Sequence, residues 1–248
     1  MRYLILSDLH AGLEAFEACL SLASGRYDQA VCLGDVVGYG PDPNAVIDVL
    51  AQRSSAVIRG NHDKACCGIT DADDFNPWAR AATYWTRAVL TEEHTEFLKL
   101  LPAGPKPLAG FEMVHGSAQD EDQYVMAGPD AQAALAVQQT PLVFFGHTHH
   151  QGAFSVSRSD AYRRAKFPPD GEGCVLSLEL KEQSRYLINP GSVGQPRDGN
   201  WRSGFAIYDD SERHVRFYRS PYDLPKTQEK MVRAGLPEAL IRRLEVGR

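Results

Sequence analysis

Asp8, His10, Asp35, Asn61, His62, His115, His147 and His149 each follow directly on, or lie within a few residues of, the end of a short apolar run. Together they offer carboxylate oxygens, imidazole nitrogens and one amide, with no thiolate, a donor set suited to Mn²⁺, Fe or Zn²⁺ in mixed nitrogen and oxygen coordination. Spacing supports convergence. Side chains two residues apart in an extended segment point the same way, so Asp8 can meet His10 and His147 can meet His149. One His or Asp at such a position is more often structural than ligating. Five separate runs ending in the same chemistry argue for a shared metal site.

The runs themselves are the elements that must position these groups. They are Tyr3 to Ser7 before Asp8, Ala30 to Gly34 before Asp35, Ala56 to Gly60 before Asn61, Phe111 to Val114 before His115, and Leu142 to Gly146 before His147. Near-continuous apolar runs of this length read as strands buried on both faces. Between the first three lie helical patterns, one with Leu13, Phe16, Leu20 and Ala23 at helical spacing and one from Pro43 to Gln52. Strand, helix, strand, helix, strand is the order of a parallel sheet, whose functional groups gather at the carboxyl ends of the strands. Residues 76–90 and 91–101 read as two further helices, with Thr91 as an N-cap and Pro102 as a stop. Beyond residue 104 the pattern predicts strands with little helix, a closing hairpin of 205–209 with 215–218, and two short C-terminal helices over 226–234 and 237–244, separated by Gly235.

A chain of 248 residues, 43% hydrophobic and 23% charged, can bury a core of its own and reads as one domain spanning residues 1–248. Its net charge of −6 and the lack of a long basic run argue against general nucleic-acid binding. No apolar stretch approaches a membrane span and the N-terminal run meets Asp8 and His10 too early for a signal peptide, so a cytoplasmic location is expected. Cys19, Cys32, Cys66, Cys67 and Cys174 form no C-x-x-C pair and are assigned no chemistry.

The ordered pieces Asp8-Leu9-His10, Gly34-Asp35-Val36-Val37-Gly38, Gly60-Asn61-His62-Asp63, Val114-His115-Gly116 and Gly146-His147-Thr148-His149 resemble the calcineurin-like metallophosphoesterases, in particular their small bacterial and archaeal members. The likeness extends to Tyr39 to Asn44, Asn189 to Arg197 and Ala234 to Glu238, and so spans nearly the whole chain. What the resemblance implies is an α/β fold, a four-layer αββα sandwich of two mixed sheets flanked by helices. It also implies two divalent metal ions, Mn²⁺ first, with Fe, Zn²⁺ or Ni²⁺ as alternatives. One would be held by Asp8, His10, Asp35 and His149, the other by Asp35, Asn61, His115 and His147, with Asp35 bridging. Two cations lower the pKa of a bridging water to supply hydroxide at neutral pH and neutralise phosphoryl oxygens.

His62, which the family does not use as a ligand, would stabilise the phosphoryl oxygens or protonate the leaving alkoxide. Asp63 would orient the His62 ring, or else be a plain carboxylate at a helix N-terminus. Asn61 and His62 would also contact substrate. Arg59 and Arg197 are candidates to grip a substrate phosphate through a bidentate pair, with ordinary salt-bridged arginines as the alternative. His150, His94 and His214 are read as non-ligands.

Two departures stand out. Family members often carry Gly-Asn directly after the first D-x-H, where this chain has Ala11-Gly12; residues 151–185 form a long polar stretch read as a rim or lid over the cleft, or a surface loop. The expected partner is a small phosphorylated substrate, such as a nucleotide, cyclic nucleotide or dinucleoside polyphosphate, cleaved as a phosphodiester or phosphomonoester. The alternatives are a phosphoprotein phosphatase and a non-catalytic scaffold that keeps the fold.

Overall fold

The computed structural model describes residues 1–157, 159 and 161–248. The first half alternates strand and helix: β1 (Arg2–Leu6), α1 (Leu13–Ala23), β2 (Gln29–Cys32), α2 (Pro43–Arg53), β3 (Ser54–Val57), then α3 (Asn61–Cys67), α4 (Pro77–Val89) and α5 (Glu92–Leu100). The second half runs β4 (Lys106–Leu108), β5 (Phe111–Met113), α6 (Gly128–Val137), β6 (Leu142–Phe144), β7 (Gly152–Ser157), β8 (Tyr162–Arg164), β9 (Gly173–Glu179), β10 (Ser184–Asn189), β11 (Ser203–Asp209) and β12 (His214–Ser220). It closes with α7 (Leu224–Arg233) and α8 (Glu238–Val246). Caps fall where local chemistry demands them: Asn76 accepts from the backbone N–H of Trp78 and Ala79, Thr91 from that of His94, and Asp223 from that of Lys226.

The strands form two six-stranded sheets, ordered β3-β2-β1-β11-β12-β9 and β4-β5-β6-β10-β7-β8. Each is mixed and each contains a parallel trio, β3-β2-β1 in the first and β5-β6-β10 in the second. Period-two alternation sorts the core into layers. In β1, Tyr3 and Ile5 enter the core between the sheets, where they meet Phe111, Phe144 and Ile188, while Leu4 and Leu6 face the layer containing Phe16, Val46 and Leu50 of α1 and α2. In β6, Phe144 faces inward and Val143 faces outward, onto Ala131 and Leu135 of α6. The result is the expected αββα order, with the helices weighted toward the first sheet.

Two differences from the sequence reading have local causes. Helix α6 falls where little helix is expected, because its run of alanines with one Leu gives a faint apolar stripe; Pro129 near its start and Asp130 in its first turn are the available signals. Residues 151–185 are not a plain loop: they build β7 and β8 at one edge of the second sheet and β9 at the edge of the first, leaving 165–172 without regular structure. Among the described residues no helix is long and apolar enough to cross a membrane.

Candidate active site

Every predicted ligand leaves the carboxyl end of a parallel strand. Asp8 and His10 follow β1, Asp35 follows β2, and Asn61 follows β3; His115 follows β5, and His147 and His149 follow β6. The sixth parallel strand, β10, ends at Asn189, whose side-chain amide donates to the Gly146 carbonyl (2.9 Å) and the Thr148 hydroxyl (3.0 Å) and so braces the turn bearing His147 and His149. The two sheets therefore bring their parallel trios together at one place.

The turns pay in backbone strain. Seven non-glycine residues there adopt positive φ: Asp8 (52°), His10 (45°), Ala11 (51°), Asp35 (53°), Tyr39 (61°), His147 (66°) and His149 (59°). Left-handed backbone costs a residue with a Cβ about 1–2 kcal/mol, and such conformations persist where surrounding structure holds them. Here it does: His10 N–H donates to the Asp35 carbonyl (3.0 Å), Ala11 N–H to Val36 (2.9 Å), and Gly194 N–H to Asp8 (3.0 Å).

The ligand atoms fall into two groups that share Asp35. Asp8, His10, Asp35 and His149 each offer one atom within 4.8 Å of the others, and so do Asp35, His115 and His147. Asn61 joins the second group, its Oδ1 3.4 Å from His115 Nε2. Within the groups His10 Nε2 lies 3.6 Å from Asp35 Oδ2, His115 Nε2 3.5 Å from the same oxygen, and His149 Nε2 3.4 Å from Asp8 Oδ1. These separations suit neighbouring corners around a cation, since metal bonds of about 2.0–2.2 Å set ligand atoms roughly 3.0–3.5 Å apart.

Proton placement sharpens the point. His10 Nδ1 lies 3.0 Å from the Val37 carbonyl and His149 Nδ1 2.6 Å from that of Gln195. A carbonyl only accepts, so each Nδ1 carries the proton and donates it. Burial, against the raising influence of Asp35, holds His10 well below its ordinary pKa; burial, Arg197 and His10 do the same for His149. Both rings are therefore neutral, and their bare Nε2 lone pairs face one another at 3.1 Å. Asp8 Oδ2, Asp35 Oδ2 and His147 Nε2 are likewise buried with no hydrogen-bond partner among the described residues. Such an array of uncompensated acceptors is costly unless a cation lies among them. A pair of divalent ions fits this donor set, with Asp35 able to touch both.

Asp35 resists protonation in its own right. Burial opposes its charge, but His115 outweighs that and holds the carboxyl well below the usual range, while Asp35 in turn raises His115 against the pull of burial. Burial pushes Asp8 upward. Asp35 Oδ1 also accepts from the His62 backbone N–H (2.9 Å), which fixes the start of α3 beside the ligands.

His62 lies beside the candidate ligands and belongs to neither group. Its ring centroid is 5.0 Å from His10, 4.4 Å from Tyr39 and 4.6 Å from Phe75, and burial pushes its pKa down to about 4. Asp63 does not orient that ring. Its Oδ1 accepts from Val36 N–H (2.8 Å) and Val37 N–H (3.1 Å) and its Oδ2 from Gly60 N–H (2.9 Å), while His62 Nδ1 has no partner among the described residues. Asp63 is the carboxylate that caps α3 and ties it to the loop after β2.

Arg59 is also corrected. Its Nε and Nη2 make a bidentate pair with Glu121 (3.0 and 2.9 Å), a carboxylate shared with Lys64, so it is the salt-bridged arginine of the alternative reading. Arg197 is different: its guanidinium lies 5.5 Å from the Tyr39 ring, donates one bond to Gln195 Oε1 (2.9 Å), and has a buried Nε with no partner among the described residues. His150 turns its Nδ1 to the Thr148 carbonyl (2.6 Å), His94 binds Asn44 and Asp48, and His214 binds Ser177. Sequence reasoning misses two aromatic walls, Tyr39 beside His10 (4.7 Å) and Tyr124 tilted against His147 (3.9 Å). Tyr39 opens the motif that runs to Asn44, whereas Tyr124 sits in an irregular loop with no pattern to flag it.

The pattern of the calcineurin-like phosphoesterase superfamily domain matches residues 1–213. An uncharacterised protein of Methanocaldococcus jannaschii is 33% identical over 252 residues, which cover 98% of this chain and 97% of that one. Among solved structures, a metallophosphoesterase from Sphaerobacter thermophilus is 39% identical with a TM-score of 0.85, covering 100% of this chain and 99% of the other. A hypothetical protein of Pyrococcus horikoshii, 20% identical with a TM-score of 0.77 over 100% of this chain and 98% of its own, shares the fold.

Proposed function

Because the chain belongs to the calcineurin-like phosphoesterase superfamily and is a phosphoesterase, we propose that it is a two-metal hydrolase of small phosphate esters, acting on phosphodiesters or phosphomonoesters of nucleotide type. The observation that carries this reading is the buried pair of bare imidazole nitrogens, His10 and His149, 3.1 Å apart beside unpartnered oxygens of Asp8 and Asp35. Asp8, His10, Asp35 and His149 would hold one ion, and Asp35, Asn61, His115 and His147 the other. Mn²⁺ is the proposed occupant, since carboxylate, amide and imidazole donors without thiolate suit it, and the proposed compartment is the cytoplasm. When bound, such a pair lowers the pKa of water to supply a nucleophile and screens the charge of the phosphoryl group.

The remaining work falls to the chain. His62, neutral at pH 7 because burial holds it near 4, donates a ring hydrogen bond to a phosphoryl oxygen; it becomes a proton donor only once the negative phosphoryl group draws a proton onto it. Arg197 presents its unpartnered Nε–H to the same group, and Tyr39 and Tyr124 wall the cleft against water. His62→Ala is accordingly expected to keep its full metal content while losing about 10²–10³-fold in kcat, the usual cost of one donor aimed at developing charge. Metal analysis beside steady-state kinetics checks this; metal loss in step with activity would assign His62 to the ligand shell instead.

The overall reading is tested by stripping the protein with a chelator, reloading it with Mn²⁺ and offering p-nitrophenyl phosphate and bis(p-nitrophenyl) phosphate. Metal-dependent release of p-nitrophenol is expected. Silence with Mn²⁺, Fe²⁺, Zn²⁺ and Ni²⁺ alike would overturn it.

A further inference from the structure

A cavity of about 760 Å³ lies immediately behind the loop that bears His147 and His149, and apart from Arg197 its lining takes no part in the chemistry proposed for the candidate metal ligands and His62. Its walls come from His150 and Gln151, from Arg164 at the end of β8 and the irregular residues 165–169, from the loop 197–200, and from Arg219 and Arg248. It adjoins the proposed metal site through Arg197, one of its lining residues: the Arg197 N–H donates to the carbonyl of His149 (3.1 Å), and the Arg197 guanidinium lies over Tyr39, itself against His10 and His62.

The charge of this cavity runs against that of the protein. The chain is net −6, yet Arg164, Lys166, Arg197 and Arg219 all line this one space. Asp198 is the one acidic side chain among its described lining residues, and it is taken by the buried Arg219, which also donates to Gln151 Oε1 (2.8 Å). Arg164, Lys166 and Arg197 have no carboxylate partner among the described residues; Arg164 stands over the Phe154 ring at 5.8 Å. Unpaired cations around a concave space attract an anion and raise its local concentration. Beside them Phe167, Pro168 and Pro169 supply an apolar surface. A volume of this size accommodates a nucleoside-sized group, since small-ligand sites run to about 300–1,000 Å³.

We propose that this cavity is the leaving-group subsite, and that the substrate is a phosphodiester or phosphoanhydride whose leaving group is itself a nucleotide, its phosphate held by Arg164, Lys166 and Arg197 and its ring resting on Phe167 and the two prolines. The proposal rests on the phosphoesterase reading. It makes Arg197 the shared residue, touching the reacting phosphoryl group on one side and the departing phosphate on the other. It also gives residues 164–169 a part in selecting substrate. Hydrolysis on these terms adds water across the P–O bond, with the oxygen leaving on the nucleotide and the proton passing to it or to solvent.

Two measurements test it. Chelator-treated wild-type protein is titrated calorimetrically with adenosine 5′-diphosphate, so that metal coordination cannot account for binding, and the double variant Arg164→Ala/Lys166→Ala is titrated in parallel. The variant removes two charge-assisted contacts to phosphate, so affinity is expected to fall about a hundredfold or more. In the Mn²⁺-loaded protein, the ratio of kcat/KM for a diadenosine polyphosphate to that for p-nitrophenyl phosphate is expected to fall by a similar factor. An unchanged ratio with undiminished binding overturns the subsite while leaving the phosphoesterase reading intact. Failure of both proteins on every ester, with diphosphate binding still sensitive to the variant, defeats the phosphoesterase reading and the leaving-group role with it, and reduces the cavity to an anion site.

Discussion

Asp35→Asn is expected to abolish stable occupancy of both metal positions and to lower phosphoesterase turnover by at least about a thousandfold. Asp35 Oδ2 lies 3.6 Å from His10 Nε2 and 3.5 Å from His115 Nε2, so it is the one carboxylate common to both ligand groups. The substitution removes a negative charge that each group would share and puts an amide where a bridging oxygen is needed. Electrostatic stabilisation by a metal pair is worth several kcal/mol, and each 1.36 kcal/mol is tenfold in rate. The fold should survive, because asparagine keeps an oxygen that can accept from the His62 N–H at the Oδ1 position. Elemental analysis after dialysis, with Mn²⁺ titration followed by thermal unfolding, separates the outcomes: wild type should gain stability from the metal and the variant should not. A variant that retained two equivalents of metal would show that the groups do not meet at Asp35.

Gly60→Ala should be nearly as damaging by another route. Gly60 sits at φ −110° and ψ 179°, so an alanine meets no torsional objection there. The obstacle is space. A Cβ would lie 2.5 Å from the Asp35 backbone nitrogen and 2.7 Å from His115 Cε1, and it would collide with Asp35 Oδ1 as well. Two of these neighbours belong to proposed ligands and the third is backbone, so none can swing aside as a surface side chain would. Overpacking a dense interior costs about 1–3 kcal/mol, occasionally more, and relief here requires moving Asp35 away from His115. The variant is expected to lose about 3 kcal/mol of stability and most of its metal affinity together. Denaturant unfolding with metal analysis checks both; near-wild-type values for either would mean that the α3 start is looser than its contacts imply.

Sequence reasoning reaches furthest where the signal is local. The apolar runs ending in Asp8, Asp35, Asn61, His115 and His147 can be read as strands that carry the candidate ligands at their carboxyl ends, but their order alone does not show that those strands divide between two sheets. The Thr91 cap and the closing hairpin are legible for the same reason, since each depends on a few adjacent residues. What escapes depends on distant partners. Nothing near Arg59 announces Glu121, sixty-two positions away, and nothing near Asp63 says that the N–H groups of Val36 and Val37 will occupy its oxygen. Residues 151–185 read as a rim, lid or surface loop because β8 and β9 are short or polar edge strands, which lack the doubly buried pattern of the central ones.

The division of the ligands between sheets has a mechanical side. Asp8, His10 and Asp35 hang from the first sheet, His115, His147 and His149 from the second, and both groups of ligand atoms draw on the two. Ions seated there would act as rivets through the sandwich, opposing slippage of one layer over the other at the rim where the intersheet core ends. Amide exchange in β1 and β6 would then register chelation far sooner than exchange in the outer strands β8 and β9.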